Sequence, residues 1–339
     1  MTGIKLTEIR KPEDCVRCGK CLPHCPTYRF FLREDFSPRG RNFLLSQSLA
    51  GEGLAYCLLC GRCERVCPLG VSFPKGYLQS LIKGKGLNLP LPAIKDLLFW
   101  KDLSQKNEAF SLDERVFSLK EGEFYLYLSC GLKHLYPKAL ANFADLLKKE
   151  GLKVHVPQAN CCGILYLSLK DFRRLKEFAK NNLLAFSEEK PILTFCATCL
   201  WMFREVYPLI SENFRGLAER TYFVLDFLGK NFNLQAEIED YEKVLFHKPC
   251  HLGSKGLANI DLTLFNLGLN NKIKDFCCGS GKADLWLKGF QKGYRRAWLR
   301  ELSAFDVLAT ACTGCFYNFS KLLKAPPLVK HWLEVINLK

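Results

Sequence analysis

Cys15-Val16-Arg17-Cys18-Gly19-Lys20-Cys21-Leu22-Pro23-His24-Cys25-Pro26 is matched in spacing, 42 residues later, by Cys57-Leu58-Leu59-Cys60-Gly61-Arg62-Cys63-Glu64-Arg65-Val66-Cys67-Pro68. Each run sets three cysteines at i, i+3 and i+6, a fourth four residues further on, and a proline directly after it. Three thiols at this spacing face one point only if the backbone coils tightly around it, so their fourth partner has to come from another segment. Pro26 and Pro68 turn the chain away from a further helical turn, because proline lacks the N–H that such a turn needs.

This spacing is the bacterial two-cluster ferredoxin run written twice. In two-cluster ferredoxins the fourth cysteine of each run ligates the other cluster. That rule assigns Cys15, Cys18, Cys21 and Cys67 to one [4Fe-4S] cubane, and Cys57, Cys60, Cys63 and Cys25 to a second. Zinc is the competing reading. Structural zinc sites use paired C-x2-C knuckles and need neither a third cysteine at the same spacing nor a fourth before proline. His24, inside the first run, reads as a neighbour that tunes potential or simply packs, not as a ligand.

The rest of the composition agrees with metal rather than disulfides. Eighteen cysteines in 339 residues is about 5%, below the ~8–10% of a disulfide scaffold, and they cluster in pairs and triplets. A chain of this length builds two or three cores without covalent staples. Met1 to Asp14 has no apolar stretch of the kind a secretory signal carries, and no apolar run approaches the ~18 residues that span a bilayer. The expected location is the cytoplasm, where thiols stay reduced, with peripheral contact at the inner face of the cytoplasmic membrane as the alternative. The formal charge is +15, and two cubanes, each about −2 with its four thiolates, would remove roughly four units. The remaining excess suits a mildly basic soluble surface, an anionic membrane face or an acidic partner. The basic residues are scattered and accompany no reading module, so nucleic acid is not an expected partner.

Beyond an expected first unit at 1–82 lies a cysteine-free connector, 83–122, rich in Lys, Pro and Leu. Leu91, Ile94, Leu97 and Leu98 stand in it at helical spacing before Phe99 and Trp100, a stripe that reads as packing on its neighbour or as a docking helix. From about 123 the chain repeats itself. One copy, 123–241, holds Cys130, Cys161-Cys162-Gly163 and Cys196-x2-Cys199. The other, 242–339, holds Cys250, Cys277-Cys278-Gly279 and Cys312-x2-Cys315. From Cys162 to Cys196 and from Cys278 to Cys312 the separation is the same, 34 residues.

Within the first copy, strands are expected at Tyr125 to Leu128, Val154 to Val156 and Ile192 to Phe195, with helices from Pro137 to Glu150 and from Asp171 to Phe186. Within the second, strands are expected at Val244 to Phe246 and Val307 to Ala309, with a helix from Ala283 to Leu302. Strand–helix alternation indicates α/β sheets. The cysteines fall where strands end and helices begin, the usual place for ligands in open α/β sheets. The fold class is therefore a mostly α-helical ferredoxin-like unit followed by two repeated α/β cysteine-rich units, α+β or α/β overall. Five cysteines per copy are one more than a cubane takes. Adjacent thiolates such as Cys161 and Cys162 do not easily cap separate corners of one cube, which suggests a more open, non-cubane cluster. The glycine after each pair allows positive φ or close backbone approach.

The Cys…Cys-Cys-Gly…Cys-x2-Cys pattern resembles the cysteine-rich domain shared by the heterodisulfide reductase catalytic subunit, the lactate-utilisation iron–sulfur protein and the iron–sulfur subunits of glycolate oxidase and of anaerobic glycerol-3-phosphate dehydrogenase. Lys248-Pro249-Cys250-His251-Leu252-Gly253 is similar to that family's first-ligand segment. Cys21-Leu22-Pro23-His24-Cys25-Pro26-Thr27-Tyr28, followed by Ser37-Pro38-Arg39-Gly40-Arg41, is most similar to the glycolate oxidase iron–sulfur subunit. The chain is shorter than that resemblance leads one to expect. Arg39 and Arg41 read either as a solvated loop or as contacts to a cluster or partner.

The resemblance implies one or two further [4Fe-4S] clusters at Cys130, Cys161, Cys162, Cys196 and Cys199 and at Cys250, Cys277, Cys278, Cys312 and Cys315, the second set favoured and zinc an alternative at one of them. It also implies an electron relay between an FAD-containing dehydrogenase subunit that oxidises glycolate or D-lactate and a quinone or other acceptor. No flavin is expected in this chain, since no G-x-G-x-x-G follows a strand and Gly279-Ser280-Gly281 belongs to the Cys-Cys-Gly turn. Two other readings are a heterodisulfide reductase-like protein, catalytic at the second five-cysteine set, and the iron–sulfur subunit of a glycerol-3-phosphate dehydrogenase. In the catalytic reading His247 and His251 would supply protons; otherwise they pack beside the ligands.

Overall fold

The computed structural model describes residues 10–84, 113–232, 236–239, 241–253, 273–279, 301–323 and 327–338. The apolar stripe from Leu91 to Trp100, most of the expected helix from Ala283 to Leu302, and Ser280-Gly281 lie outside the described residues.

Residues 10–84 form short helices set between the cysteines: α1 (Pro26–Phe31), α2 (Pro38–Ser46), α3 (Glu52–Ala55), α4 (Arg62–Arg65) and α5 (Phe73–Ile82). Pro26 and Pro38 open their helices, and Pro74 stands in the first turn of α5, where a missing N–H costs nothing. Ser37 and Ser72 cap α2 and α5 by accepting from the N–H groups of Gly40 and Lys75. Helices this short do not stand alone in water. They are held by packing, since Leu54, Phe73, Tyr77 and Leu78 are buried in the same apolar core as the sheets that follow.

The first cysteine-rich unit is a parallel sheet of β1 (Phe117–Ser118), β2 (Phe124–Tyr127), β3 (Val154–His155), β4 (Ile192–Thr194) and β5 (Thr221–Phe223), in the order β1-β3-β2-β4-β5. Phe124 to Tyr127 and Ile192 to Thr194 are buried throughout, the near-continuous burial expected of parallel strands covered on both faces. Crossover helices supply that cover. Helix Pro137–Lys149 buries Leu140, Phe143, Ala144 and Leu147, an i, i+3, i+4, i+7 stripe. β1 lies in the stretch whose composition reads as connector, and Val116 and Phe117 are buried there.

A short ribbon partner, β6 (Ala236–Ile238), precedes the second sheet. That sheet contains β7 (Val244–His247), β8 (Ile273–Lys274), β9 (Val307–Thr310) and β10 (Leu328–His331), all parallel, in the order β10-β9-β7-β8. The chain ends with β11 (Ile336–Leu338), antiparallel to β6. Taken from the Cys-Cys-Gly side, β3-β2-β4-β5 and β8-β7-β9-β10 are the same topology, so the repeat in the cysteines is a repeat of fold. In both sheets the strand before the first cysteine lies beside the strand before the Cys-x2-Cys, with Tyr127 opposite Thr194 and His247 opposite Thr310. The chain leaves the first of these strands to one side and returns on the other. That is a topological switch point, where ligands bind beyond the carboxyl ends of the strands. No helix among the described residues is long and apolar enough to cross a membrane.

Candidate metal centres

None of the eighteen cysteines is in a disulfide. Cys15, Cys18, Cys21 and Cys67 line one hollow together with Cys63, and Cys25, Cys57, Cys60 and Cys63 line a second. The fourth cysteine of each run thus sits with the other run, because the turn before Pro26 and the turn before Pro68 each point across the pair. The first hollow opens to solvent at Cys18. Around the second, Cys57 and Cys25 are buried, and burial raises the Cys60 and Cys63 thiols well above their ordinary value. Burial likewise pushes Cys21 up to about 11. Buried thiols of this kind give up their protons only to a cationic core, which soft iron–sulfur chemistry provides.

Backbone N–H groups point at several sulfurs: Leu59 donates to Cys57 Sγ at 3.4 Å, Val71 to Cys67 Sγ at 3.3 Å and Gly279 to Cys277 Sγ at 3.4 Å. Such donors favour an anionic cluster over neutral thiols. His24 is exposed. Arg39 pairs with Glu34 at 2.7 Å, whereas Arg41 is buried and reaches Cys25. The loop reading therefore holds for neither arginine in full.

In the first cysteine-rich unit the five thiols form one electrostatically coupled string, Cys130 with Cys161, Cys161 with Cys162, Cys162 with Cys199 and Cys199 with Cys196. Within it the Cys130 thiol draws Cys161 well below the usual thiol range and is itself held well above it. In the second unit Cys250 is coupled to Cys277, and Cys315 is coupled to Cys312 and donates to Cys278 with the sulfurs 3.0 Å apart. Gly163 and Gly279, after the two Cys-Cys pairs, have φ of +82° and +80°, which favours glycine in both places. A buried asparagine holds each pair's backbone: Asn182 donates to the Cys161 carbonyl at 3.3 Å and Asn318 to the Cys278 carbonyl at 2.6 Å.

The two strings meet. The Thr313 N–H donates to Cys196 Sγ at 3.3 Å, and Cys312 is coupled to Cys196. Burial opposes ionisation of Cys196, but Cys199, Cys312 and Thr313 around it together bring it well below the usual range. Thr198 Oγ1 lies 3.1 Å from Cys312 Sγ and 3.0 Å from His251 Nδ1, and the His251 ring stacks on Trp201 with centroids 4.6 Å apart. His251 also interacts with the backbone of Leu59, between Cys57 and Cys60. His247 is bonded on both sides, to Thr310 Oγ1 and to the Phe276 carbonyl, each at 2.9 Å. Burial lowers both histidines to about 4. Both pack beside the cysteines, and burial favours their neutral form.

The ferredoxin-like unit lies against the second cysteine-rich unit. Cys277 packs with Leu58 and Cys60, and Asp275 accepts from Arg62 at 2.9 Å and from Arg65. Lys75 on α5 pairs with Glu64 at 3.5 Å and with Glu205 of the first cysteine-rich unit at 2.6 Å. The sequence alone singles out none of Arg62, Arg65, Lys75, Glu205 and Asp275. The one signal it carries is that Arg62 and Arg65 alternate with cysteines in the second run. Among the described residues no group of three or more His, Cys, Asp or Glu side chains is arranged as a single-ion site.

Comparison with known proteins agrees with this layout. Residues 11–71 match the family described as 4Fe-4S dicluster domain, and residues 124–204 and 244–320 each match the family described as cysteine-rich domain. Together these matches cover more than half of the chain. The chain is similar to the glycolate oxidase iron-sulfur subunit of Escherichia coli, 26% identical over 95% of this chain and 92% of that one. It is also similar to a subunit of the dihydromethanophenazine:CoB–CoM heterodisulfide reductase of Methanosarcina mazei, 22% identical over 99% of this chain and 95% of that one. A shorter match, 43% identical over 45% of this chain and 31% of the other, is to the probable glycolate oxidase iron-sulfur subunit of Bacillus subtilis. The chain belongs to the iron–sulfur proteins that join a 4Fe-4S dicluster domain to two cysteine-rich domains.

Proposed function

We propose that this chain is the electron-transfer subunit of a flavin-dependent 2-hydroxyacid dehydrogenase, of the glycolate or D-lactate type, and passes electrons from a partner flavoprotein to a quinone or another acceptor. The observation that carries the reading is the order of the thiol sets in space. The solvent-facing hollow at Cys18 adjoins the buried hollow at Cys60, Cys60 packs with Cys277, and the second string meets the first where the Thr313 N–H, next to Cys312, reaches Cys196 Sγ. Iron–sulfur clusters, when bound, supply one-electron carriers.

In this reading Cys15, Cys18, Cys21 and Cys67 hold the outer cubane and Cys25, Cys57, Cys60 and Cys63 the inner one. Cys250, Cys277, Cys278, Cys312 and Cys315 hold a non-cubane cluster. Cys130, Cys161, Cys162, Cys196 and Cys199 hold another, or zinc. Exposed Val16 and Leu32, 67% and 75% accessible, lie in the unit that carries the outer cubane and suit a partner's apolar contact there. The units run over 1–82, 123–241 and 242–339, with 83–122 between the first two and its β1 added to the first cysteine-rich sheet, and the protein works in the cytoplasm, with peripheral contact at the inner membrane face as the alternative. Anaerobic affinity purification from the native cell tests the reading. A flavoprotein should co-purify, and glycolate or D-lactate should bleach the clusters; absence of both overturns it.

Similarity over nearly the full chain to a heterodisulfide reductase subunit favours a second reading, in which the second five-thiol set itself reduces a disulfide. Disulfide reduction by the isolated chain with an artificial electron donor, and no flavoprotein present, would select it.

A further inference from the structure

Arg41 is 2% exposed, and each nitrogen of its guanidinium has a partner. Nε donates to the Gly53 carbonyl at 2.6 Å, Nη2 to Thr27 Oγ1 at 2.9 Å and Nη1 to Cys25 Sγ at 3.7 Å, with the group 5.9 Å from the Phe73 ring centroid. Among the described residues none of these partners is a carboxylate. An arginine stays charged, and a buried charge without a counter-ion is strongly unfavourable. Among the described residues no carboxylate answers this charge, and the hollow that Arg41 lines with Cys25, Cys57, Cys60 and Cys63 would supply the anion if it held a negatively charged cluster.

The two cubane positions are unequal in this respect. Cys67, the crossing cysteine of the outer position, receives a neutral backbone N–H from Val71. The cations lining the outer hollow are the exposed Arg17 and Lys20 and the half-buried Arg39, which is paired with Glu34. Cys25 receives a buried positive charge, and its surroundings are built around that contact: Thr27 Oγ1 sits 3.2 Å from Cys25 Sγ and donates to the Phe36 carbonyl at 3.2 Å. A buried cation stabilises the more negative, reduced form of a cluster over the oxidised form, whereas burial alone does the opposite.

We propose that Arg41 is a positioning and potential-setting residue for the inner cubane: its guanidinium, bonded to Cys25, raises that cubane's reduction potential and makes it the resting place of an electron next to Cys277. The proposal rests on the iron–sulfur reading of Cys25, Cys57, Cys60 and Cys63. It is tested by redox titration of anaerobically purified full-length protein, followed by electron paramagnetic resonance, with iron and sulfide analysis of every sample. In Arg41→Met the ratio of reduced to oxidised inner cubane at a fixed solution potential falls by about tenfold, while the outer cubane is unshifted. Arg41→Lys, which keeps the charge and loses the fork, stays closer to wild type. Loss of the inner cubane in Arg41→Met but not in Arg41→Lys also supports the counter-charge role. Unchanged potentials in Arg41→Met, or equal loss of the inner cubane in both variants, make Arg41 a packing residue and overturn the proposal. Wild-type protein without two cubanes removes the iron–sulfur reading itself, and the proposal with it.

Discussion

Arg62 Nη1 donates to Asp275 Oδ1 at 2.9 Å, joining the second cysteine run to the residue two before Cys277. Arg65 reaches the other oxygen of the same carboxylate. One carboxylate with two guanidinium partners fixes how the ferredoxin-like unit sits on the second cysteine-rich unit, and so how near Cys60 stays to Cys277.

Both arginines and the aspartate are only partly exposed, so the pair of contacts is worth more than a surface ion pair. Asp275→Ala should lower stability by about 1–2 kcal/mol, measured by denaturant unfolding, with a smaller loss at high salt where the wild-type contact is already screened. Faster hydrogen exchange in residues 57–67 of the variant is the accompanying signature of a loosened contact. Equal stability and equal exchange would remove Asp275 as the clamp.

The shared hollows make a second outcome specific. Cys25 stands in the first run but faces the second hollow, and Cys67 the reverse. Cys25→Ser should therefore weaken the inner cubane and leave the outer one spectroscopically intact, while Cys67→Ser does the opposite. Iron analysis should show a loss of up to about four irons in each variant. The reverse pattern would mean that each run holds its own cluster.

Much of this site was legible in the sequence because cysteine spacing is local information. Three thiols within seven residues, or two side by side before a glycine that has to take positive φ, constrain the backbone wherever the segment lies. Five strands were legible for the same reason, since buried runs such as Phe124 to Tyr127 and Val244 to His247 need no knowledge of their neighbours, whereas shorter or edge strands such as β1, β5, β8 and β10 carry no such run. What spacing does not encode is which units face one another. Cys196 meets Thr313, and Cys60 meets Cys277, across more than a hundred residues of chain, and such contacts depend on the packing of whole sheets. Arg41 was ambiguous for a related reason: a basic loop and a buried counter-charge look alike until Thr27, Gly53 and Cys25 are seen around the guanidinium.

The contact between the two cysteine-rich units is closed by Tyr136, whose hydroxyl lies 2.7 Å from Thr313 Oγ1, both groups buried. Gly131, one residue after Cys130, leaves the space for this, since a Cβ there would come within 2.3 Å of the same threonine oxygen. Thr313→Val leaves the Tyr136 hydroxyl without this partner and should cost about 1–3 kcal/mol. Adding Tyr136→Phe should recover part of that loss. A double-mutant cycle should give a coupling of at least about 0.5 kcal/mol, and additive effects would deny the bond any energetic role.

His331 gives the protein an acid-side limit with a definite sign. Its Nδ1 accepts from the Leu333 N–H at 3.2 Å, its Nε2 faces the Phe195 carbonyl at 2.9 Å, and the ring stacks on Tyr136 at 4.6 Å. A proton on Nδ1 would point at another donor, and burial lowers the group from 6.5 to about 4. The unfolded chain therefore takes up a proton at a pH where the folded chain does not. The folded state holds its full advantage above pH 6.5 and loses it as the pH falls toward 4, by about 2 kcal/mol at pH 5. His331→Gln should be less stable than wild type at pH 8, because a stacked and doubly bonded ring is lost. The difference between the two proteins should narrow as the pH falls to 5, measured by denaturant unfolding at each pH. A gap that stays constant from pH 8 to pH 5 would show that His331 does not titrate between the folded and unfolded states.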